Sequence, residues 1–331
     1  MKQAKILFVL DKLNVGGTER VNFIIANALN QQVYVSTFGR LVAPFETTAE
    51  VLYLNELSLL QKLVYGFRHV FKKLINQPTN LVDLPAKTDQ LIEVIKKKEI
   101  EVIILNSQFL LMTETIKKAC PDVKVINWIH FDKAHFQERH WISDQVLEEQ
   151  LAFCDCVVAL TETTRQALLP LQPNTVCIPN PLTIETGGQV STLEKQVISF
   201  VGRLETYMKG IDYLVEIATH LPEDWQLAVA GPASKKELNT FHQLIKQHHA
   251  EEKIIYQGTL NSEALKRHYL NSSIFVVTSR FEGFPLVTAE AMAFGLPVVA
   301  FDVEGPRDVL NFGEFGQLIA LGNVDEMLAK L

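Results

Sequence analysis

The chain has 331 residues, of which 47% are hydrophobic and 21% are charged, and such proportions are typical of a globular protein with room for two domains. Its net charge of −7 arises in residues 181–331, which carry 12 lysines and arginines against 19 aspartates and glutamates. No domain is basic, which argues against nucleic-acid binding, and no apolar stretch reaches the length of a signal peptide or a transmembrane helix. We therefore expect a cytoplasmic protein without a nucleic-acid partner.

Short apolar runs alternate with helical patterns through the first half of the chain. Such continuous apolar runs are typical of strands that a parallel sheet buries on both faces. A helical pattern follows the first run and begins near Thr18. The alternation predicts a Rossmann-like domain over residues 1–182. Its strands are predicted at 6–10, 32–37, 51–54, 101–105, 124–129, 156–160 and 175–179.

A polar stretch at 183–196, TIETGGQVSTLEKQ, interrupts the alternation. It lacks periodicity and contains adjacent glycines, which predicts a linker or a surface loop. The alternation resumes over 197–331 and predicts a second Rossmann-like domain, with helices near 210–221 and 237–249. Ligands of open α/β sheets bind beyond the carboxyl ends of the strands, so two such domains that face each other would form a binding cleft. Strands of the second domain are predicted at 197–201, 225–230, 253–257, 273–279, 297–301 and 316–320.

Two glycines, Gly16 and Gly17, follow the first predicted strand and precede a helical pattern. Adjacent glycines let a backbone approach a ligand closely, and a helix N-terminus favours an anion. The same residues could equally form an ordinary strand-to-helix turn. Neither domain contains GxGxxG or a P-loop, so the sequence lacks the usual nicotinamide, flavin and nucleoside-triphosphate motifs.

Two cations, Arg203 and Lys209, follow the first strand of the second domain in FVGRLETYMKG. At the carboxyl edge of a sheet they could hold a diphosphate, arginine through its planar fork and lysine as a point charge. Taken without further context, they could also be solvated surface cations.

The stretch SRFEGFPLVTAEAMAFGLPVV, residues 279–299, contains two glutamates in apolar surroundings. Pro285 suits the first turn of a helix, and Gly295 is placed to end it. Glu282 is therefore predicted in the loop before the helix and Glu290 within the helix. Each carboxylate could accept hydrogen bonds from ligand hydroxyls or could be solvated.

The start of that helix is a candidate anion site. The first backbone N–H groups of a helix have no partner within it. Those near Leu286 and Val287 could therefore donate to phosphate oxygens.

Histidines recur at five-residue intervals in NWIHFDKAHFQERH, at positions 130, 135 and 140. This spacing matches neither helical ligand spacing nor a zinc motif, and the four cysteines contain no CxxC pair. We predict no metal site. His130 follows a strand at its carboxyl end and could contact a ligand in the cleft or be structural.

Residues 57–75 combine an apolar helical stripe with positive charge and contain no acidic residue. A basic amphipathic helix can lie on an anionic membrane surface. Alternatively, its apolar face packs on the sheet and its basic face is solvated. The stripe consists of Leu60, Leu63, Val64, Phe67, Phe71 and Leu74, and the cations are Lys62, Arg68, Lys72 and Lys73.

Taken in order, these motifs resemble the retaining glycosyltransferases of family GT4, which have the two-domain GT-B fold. The resemblance covers nearly the whole chain, and its most specific part is the E-x7-E pattern of Glu282 and Glu290. The matching stretches are GGTERV at 16–21, IPNPL at 178–182, GRLETYMKG at 202–210, EGFPLVTAEAMAFGLPVVA at 282–300 and GPRDVL at 305–310.

The resemblance implies a role for each matching residue. Arg203 and Lys209 would bind the donor diphosphate and stabilise the charge that grows on it. Glu282 would bind hydroxyls of the donor sugar, Glu290 the ribose, and His130 would lie near the sugar ring. Many relatives read EGFG where this chain reads EGFP, and proline cannot donate an N–H. The other implied donor-binding positions are Gly16, Gly17, Gly283, Phe284, Pro285, Leu286 and Val287.

The implied reaction transfers a hexose or N-acetylhexosamine, with retained anomeric configuration, from a nucleotide sugar that we expect to be UDP-linked. The expected acceptor is a hydroxyl of a cell-surface polysaccharide, a teichoic acid or a lipid-linked molecule at the inner face of the membrane. No metal or other cofactor is expected. The alternatives are a nucleotide-sugar epimerase or hydrolase of the same fold, or a non-catalytic partner subunit that binds nucleotide sugar. Family members usually continue past the position of Leu331, so the chain is expected to be either truncated at its C-terminus or an atypically short member.

Overall fold

A computed structural model describes residues 3–11, 16–38, 46–54, 84–130 and 143–331. The chain divides into two compact units, Met1–Pro181 and Leu182–Leu331. Each unit contains one parallel sheet with helices between its strands, which confirms the predicted α/β fold with two Rossmann-like domains. The predicted amphipathic helix at 57–75, His135 and His140 lie outside the described residues.

The first unit is built on a seven-stranded sheet in the order β3-β2-β1-β4-β5-β6-β7. Leu7, Phe8 and Val9 of β1 are all fully buried, which explains why this strand is a continuous apolar run. The chain leaves β1 toward β2 and returns on the other side at β4, so the order reverses between β1 and β4. The strands are β1 (Lys5–Leu10), β2 (Gln32–Thr37), β3 (Glu50–Tyr53), β4 (Val102–Asn106), β5 (Lys124–Ile129), β6 (Cys156–Ala159) and β7 (Thr175–Cys177).

The helices of this unit cover its sheet with apolar side chains such as Leu91, Ile95 and Ile116, which are buried. Ser143 and Thr161 cap two of the helices through side-chain oxygens that accept from backbone N–H groups. The described helices are α1 (Gly17–Ala28), α2 (Leu84–Lys98), α3 (Thr113–Ala119), α4 (Asp144–Leu151) and α5 (Glu162–Leu168), and a 3₁₀ helix (Ser107–Met112) precedes α3.

The second unit is built on a six-stranded parallel sheet in the order β10-β9-β8-β11-β12-β13, which reverses between β8 and β11. Its strands are β8 (Val197–Val201), β9 (Gln226–Ala230), β10 (Ile254–Tyr256), β11 (Ile274–Val277), β12 (Val298–Phe301) and β13 (Gln317–Ile319). Its helices are α6 (Thr206–Lys209), α7 (Ile211–Thr219), α8 (Lys235–Gln247), α9 (Ser262–Leu270), α10 (Leu286–Ala293), α11 (Glu304–Val309) and α12 (Val324–Leu328), with a 3₁₀ helix at Asn311–Gly313.

The stretch at 183–196 contains no helix or strand, but it packs against the second unit. Ile184 is buried in the core of that unit. The Ser191 hydroxyl donates to the Ser272 carbonyl at 2.6 Å, and the Ser191 N–H donates to the Phe294 carbonyl at 2.8 Å. These contacts attach the segment to the second unit at Ile184 and Ser191.

The described helices are all too short or too polar to cross a lipid bilayer. Within the same residues, no group of three or more histidine, cysteine, aspartate and glutamate side chains has an arrangement that could hold a metal ion.

Candidate functional site

The carboxyl edge of the second sheet, where the strand order reverses, brings Lys209 into contact with Glu282, and Arg203 lies in the loop that follows β8 at the same edge. Arg203 follows β8 and is exposed, and Lys209 ends the short helix α6. Glu282 lies in the loop between β11 and α10. Because β8 and β11 are adjacent and parallel, the two loops that leave them lie side by side. This edge is the candidate site.

Lys209 and Glu282 form an ion pair, with the Nζ of Lys209 donating to Oε1 of Glu282. The same oxygen accepts from the Ser279 hydroxyl at 2.8 Å. The two side chains are 25% and 12% exposed, so the pair is partly shielded from bulk solvent. A ligand at this edge would meet a cation and a carboxylate that already neutralise each other.

Gly210 determines how closely the two loops approach. It adopts a φ of +60°, and a Cβ at this position would lie 1.9 Å from the Thr278 carbonyl oxygen. The Thr278 hydroxyl donates to the Lys209 carbonyl at 2.8 Å, and the Arg280 N–H donates to the Met208 carbonyl at 2.9 Å. A glycine is required here because of both the backbone conformation and the missing side chain.

Arg280, which the sequence analysis did not identify, ties the same loops together. Its guanidinium donates to both carboxylate oxygens of Asp212, at 2.8 and 2.6 Å. It also lies 4.1 Å from the ring centroid of Tyr213 and 5.0 Å from that of Tyr207. The bidentate bond to Asp212 raises the pKa of Arg280. The sequence feature that could have identified Arg280 is its position beside Ser279 and two residues before Glu282.

Gly305, in the GPRDVL motif, supports the Glu282 loop from the other side. Its N–H donates to the Glu282 carbonyl at 3.0 Å. A Cβ here would lie 2.5 Å from that carbonyl oxygen and 2.8 Å from Cδ of Pro285. The motif therefore acts on Glu282 through the backbone.

The sequence predicts Pro285 in the first turn of the helix, but α10 begins at Leu286 and Pro285 is its N-cap. The Pro285 carbonyl accepts from the Thr288 N–H at 2.9 Å. The N–H groups of Leu286 and Val287 have no acceptor among the described residues, as expected for the first turn of a helix. Gly283 and Phe284 are partly exposed in the preceding loop.

Glu290 lies apart from the ion pair of Glu282 and Lys209. It is only 3% exposed, which excludes the interpretation that it is solvated on the helix surface. One carboxylate oxygen accepts from the Thr183 hydroxyl, and the other accepts from the Tyr269 hydroxyl at 2.9 Å. A carboxylate can accept about four hydrogen bonds, so these two contacts leave capacity for a ligand hydroxyl.

In the first unit, the predicted residues lie at the carboxyl edge around β1, β4 and β5. Gly16 is the N-cap of α1 and Gly17 its first residue. His130 directly follows β5, and its Nε2 lies 2.7 Å from Oδ1 of Asn106 at the end of β4. Burial lowers the pKa of His130 to about 3. Sequence reasoning missed Asn106, although a polar residue that ends the run VIILN was an available signal.

A second buried histidine, His268, lies in the second unit. Its Nε2 lies 2.6 Å from the Ser199 hydroxyl and its Nδ1 2.9 Å from Oε1 of Gln257. Burial lowers the pKa of His268 from 6.5 to about 4. The folded protein therefore holds this imidazole neutral at pH 7.

We expect His268 to make the protein less stable in acid. Between about pH 6.5 and 4 the unfolded chain binds a proton that folded His268 does not, so its contribution to stability is complete above pH 6.5 and falls as the pH drops toward 4. The free energy of unfolding should decrease by about 2 kcal/mol between pH 7 and pH 5 through this group. Urea denaturation at both pH values measures it. In His268→Gln, the free energy of unfolding should depend less on pH by this amount. His248→Gln, at an exposed position, is the control and should keep the wild-type pH dependence. An equal pH dependence of stability in the two variants would contradict the assignment.

The second unit matches a family of sugar-transferring enzymes. Residues 187–331 fit the model of the family described as glycosyl transferases group 1. A Haemophilus influenzae protein described as an uncharacterized glycosyltransferase is 29% identical over 98% of this chain and 88% of its own length. These similarities support the glycosyltransferase superfamily for this chain.

Two further similarities concern a specific enzyme and the fold. The lipopolysaccharide 1,6-galactosyltransferase of Salmonella typhimurium is 25% identical over 65% of this chain and 59% of its own length. The crystal structure of Anabaena Alr3699/HepE in complex with UDP and glucose aligns with a TM-score of 0.76 over 98% of this chain and 88% of that chain, at 18% identity. The structural likeness confirms the GT-B fold class.

Proposed function

We propose that the protein is a retaining glycosyltransferase of the GT4 type that transfers a hexose or N-acetylhexosamine from a UDP-sugar to a hydroxyl of a cell-surface polysaccharide, a teichoic acid or a lipid-linked acceptor. The observation that carries the proposal is the contact between Lys209 and Glu282 at the reversal point of the second sheet. It joins a group suited to phosphate and a group suited to sugar hydroxyls in one place.

The phosphate side of the proposed site consists of cations and backbone donors. Arg203 can hold two phosphate oxygens with its planar fork, and Lys209 adds a point charge. The N–H groups of Leu286 and Val287 point along the axis of α10, whose N-terminus favours an anion. As the bond to the sugar breaks, charge grows on the diphosphate, and these groups stabilise it. We expect no metal, because the cations perform this role.

The sugar and nucleoside sides are proposed to lie at the two glutamates. Glu282, held by Ser279 and Gly305, accepts from hydroxyls of the transferred sugar. Glu290 accepts hydrogen bonds from the ribose hydroxyls through the carboxylate lone pairs that Thr183 and Tyr269 do not use. In the first unit, His130 is proposed as a sugar-binding residue and the backbone of Gly16 and Gly17 as a phosphate-binding segment.

Retention of configuration requires the acceptor to attack from the face that the diphosphate leaves. The leaving phosphate oxygen is then close enough to take the proton of the acceptor hydroxyl. No residue has to act as a nucleophile. Similarity to a lipopolysaccharide galactosyltransferase and to a protein crystallised with UDP and glucose supports this choice of acceptor class and donor.

A donor panel tests the proposed function. Calorimetry with UDP-, GDP- and ADP-sugars should show binding of a UDP-hexose or UDP-N-acetylhexosamine, and Arg203→Ala should weaken it by about tenfold or more, in line with a lost charge-assisted hydrogen bond. With an acceptor extract, NMR should detect a product that keeps the anomeric configuration. Quantitative epimerisation or rapid release of free sugar without acceptor would favour the epimerase or hydrolase, and binding without turnover the non-catalytic subunit.

We further propose that the protein works at the inner face of the cell membrane through residues 57–75. Substituting Lys72 and Lys73 by glutamine removes two positive charges, each worth about 1 kcal/mol at an anionic surface. Co-sedimentation with vesicles containing phosphatidylglycerol should therefore fall, while vesicles of phosphatidylcholine serve as the control. Unchanged sedimentation would contradict this proposal.

A further inference from the structure

A buried polar network connects His130 to the first helix of the first unit. Oδ1 of Asn106 lies 2.7 Å from Nε2 of His130. Nδ2 of Asn106 donates to the Val9 carbonyl at 3.1 Å and to Oδ1 of Asn22 at 3.0 Å. Asn22, on α1, donates to the Thr18 carbonyl at 2.8 Å. Asn22 and Asn106 are almost completely buried, at 0% and 3% exposure.

The directions of these hydrogen bonds are determined by two backbone carbonyls, which can only accept. The Val9 carbonyl requires the amide nitrogen of Asn106 on its side, and the Thr18 carbonyl requires that of Asn22. The group that Asn106 presents to His130 is therefore its oxygen. Since an amide oxygen also only accepts, Nε2 of His130 must carry the proton.

The neutral imidazole has one proton, so its Nδ1 is a bare acceptor. The low pKa of His130 keeps the ring in this form at neutral pH. Trp128 lies against the ring at a centroid distance of 4.8 Å, which helps to hold its orientation. Nδ1 accepts no hydrogen bond from the described residues, so it is able to accept one from a donor such as a ligand hydroxyl.

We propose that Asn106, oriented by Asn22, is a positioning residue that holds His130 as the Nε2-protonated tautomer, so that Nδ1 accepts a hydrogen bond from a substrate hydroxyl. The substrate part rests on the proposed function, whereas the tautomer does not.

The tautomer is tested directly by long-range ¹H–¹⁵N NMR of the histidine side chains in the full chain. His130→Phe identifies the His130 signals among those of the nine histidines. We expect the Nε2-protonated pattern between pH 5 and 8, and a mixture of tautomers in Asn106→Leu. The Nδ1-protonated pattern in the wild-type protein would overturn the proposal even if no variant folds.

Kinetics then test the consequence for the substrate. Asn106→Leu should lower kcat by at least about tenfold with UDP affinity unchanged, as expected for a hydrogen bond to a reacting substrate. The matched control is Asn127→Leu, since Asn127 is equally buried on the adjacent strand and bonds Thr113 instead. Equal losses in both variants would reduce Asn106 to a structural residue.

Comparing hydrolysis of UDP-sugar by water with transfer to a saccharide acceptor shows whether the hydroxyl belongs to the donor sugar or to the acceptor. If Asn106→Leu also slows the hydrolysis of UDP-sugar by water, the hydroxyl belongs to the donor sugar. If it slows transfer to the saccharide acceptor alone, the hydroxyl belongs to the acceptor. No effect on either reaction, with the wild-type tautomer as expected, would overturn the substrate part. Failure of the proposed function would appear separately, as absence of turnover in the wild-type protein.

Discussion

Glu282→Gln is expected to reduce sugar transfer by about 10²–10³-fold and to change UDP affinity by less than about threefold. The amide keeps the shape of the side chain but accepts fewer hydrogen bonds from sugar hydroxyls. It also releases Lys209 from its ion pair, and a released lysine binds phosphate at least as well as a paired one. UDP, which has no transferred sugar, should therefore bind as before.

The matched variant is Lys209→Met, which removes the other half of the same ion pair. We expect it to weaken UDP binding by about tenfold or more, because a charge-assisted hydrogen bond contributes about 1.5–3 kcal/mol. Calorimetry with UDP and a transfer assay with UDP-sugar measure both variants. If UDP affinity collapses equally in the two, the assignment of Glu282 to the sugar and Lys209 to the phosphate is wrong.

Gly210→Ala is expected to lower the free energy of unfolding of the second unit by at least about 3 kcal/mol. Part of this is the cost of a left-handed conformation, about 1–2 kcal/mol for a residue with a Cβ. The larger part is the contact of that Cβ with the Thr278 carbonyl oxygen at 1.9 Å. That carbonyl oxygen belongs to the backbone of a loop that Thr278 and Arg280 bond to the segment at 208–209, so moving it aside strains those hydrogen bonds.

Gly187→Ala provides the control for this substitution. Gly187 has a φ of +63°, close to that of Gly210, but no atom lies within 4 Å of its ideal Cβ. It should therefore show the conformational cost alone, about 1–2 kcal/mol. Urea denaturation of the two variants separates the contributions. Equal destabilisation would mean that the loops at Gly210 can separate more easily than their hydrogen bonds suggest.

The agreement between predicted and observed strands has a simple cause. Each strand of a parallel sheet covered by helices is buried on both faces, so its side chains are apolar at successive positions, as at Leu7, Phe8 and Val9. The stretch at 183–196 shows the limit of this reasoning. An irregular segment has no periodicity, so nothing in its pattern indicates that Ile184 is buried or that Ser191 is bonded to the second unit.

By itself, the amino-acid sequence determined the alternation of strands and helices, the two-domain α/β class and the identity of the polar residues that follow the strands, because each of these depends on local hydrophobic periodicity and turn chemistry. Only the tertiary structure decided which polar residues meet. The contact of Lys209 with Glu282 spans 73 residues, that of Thr183 with Glu290 spans 107, and that of Asn22 with Asn106 spans 84. Such pairs form because the order of strands in a parallel sheet brings segments that are distant in sequence to one edge. A sequence pattern of a few residues does not determine that order.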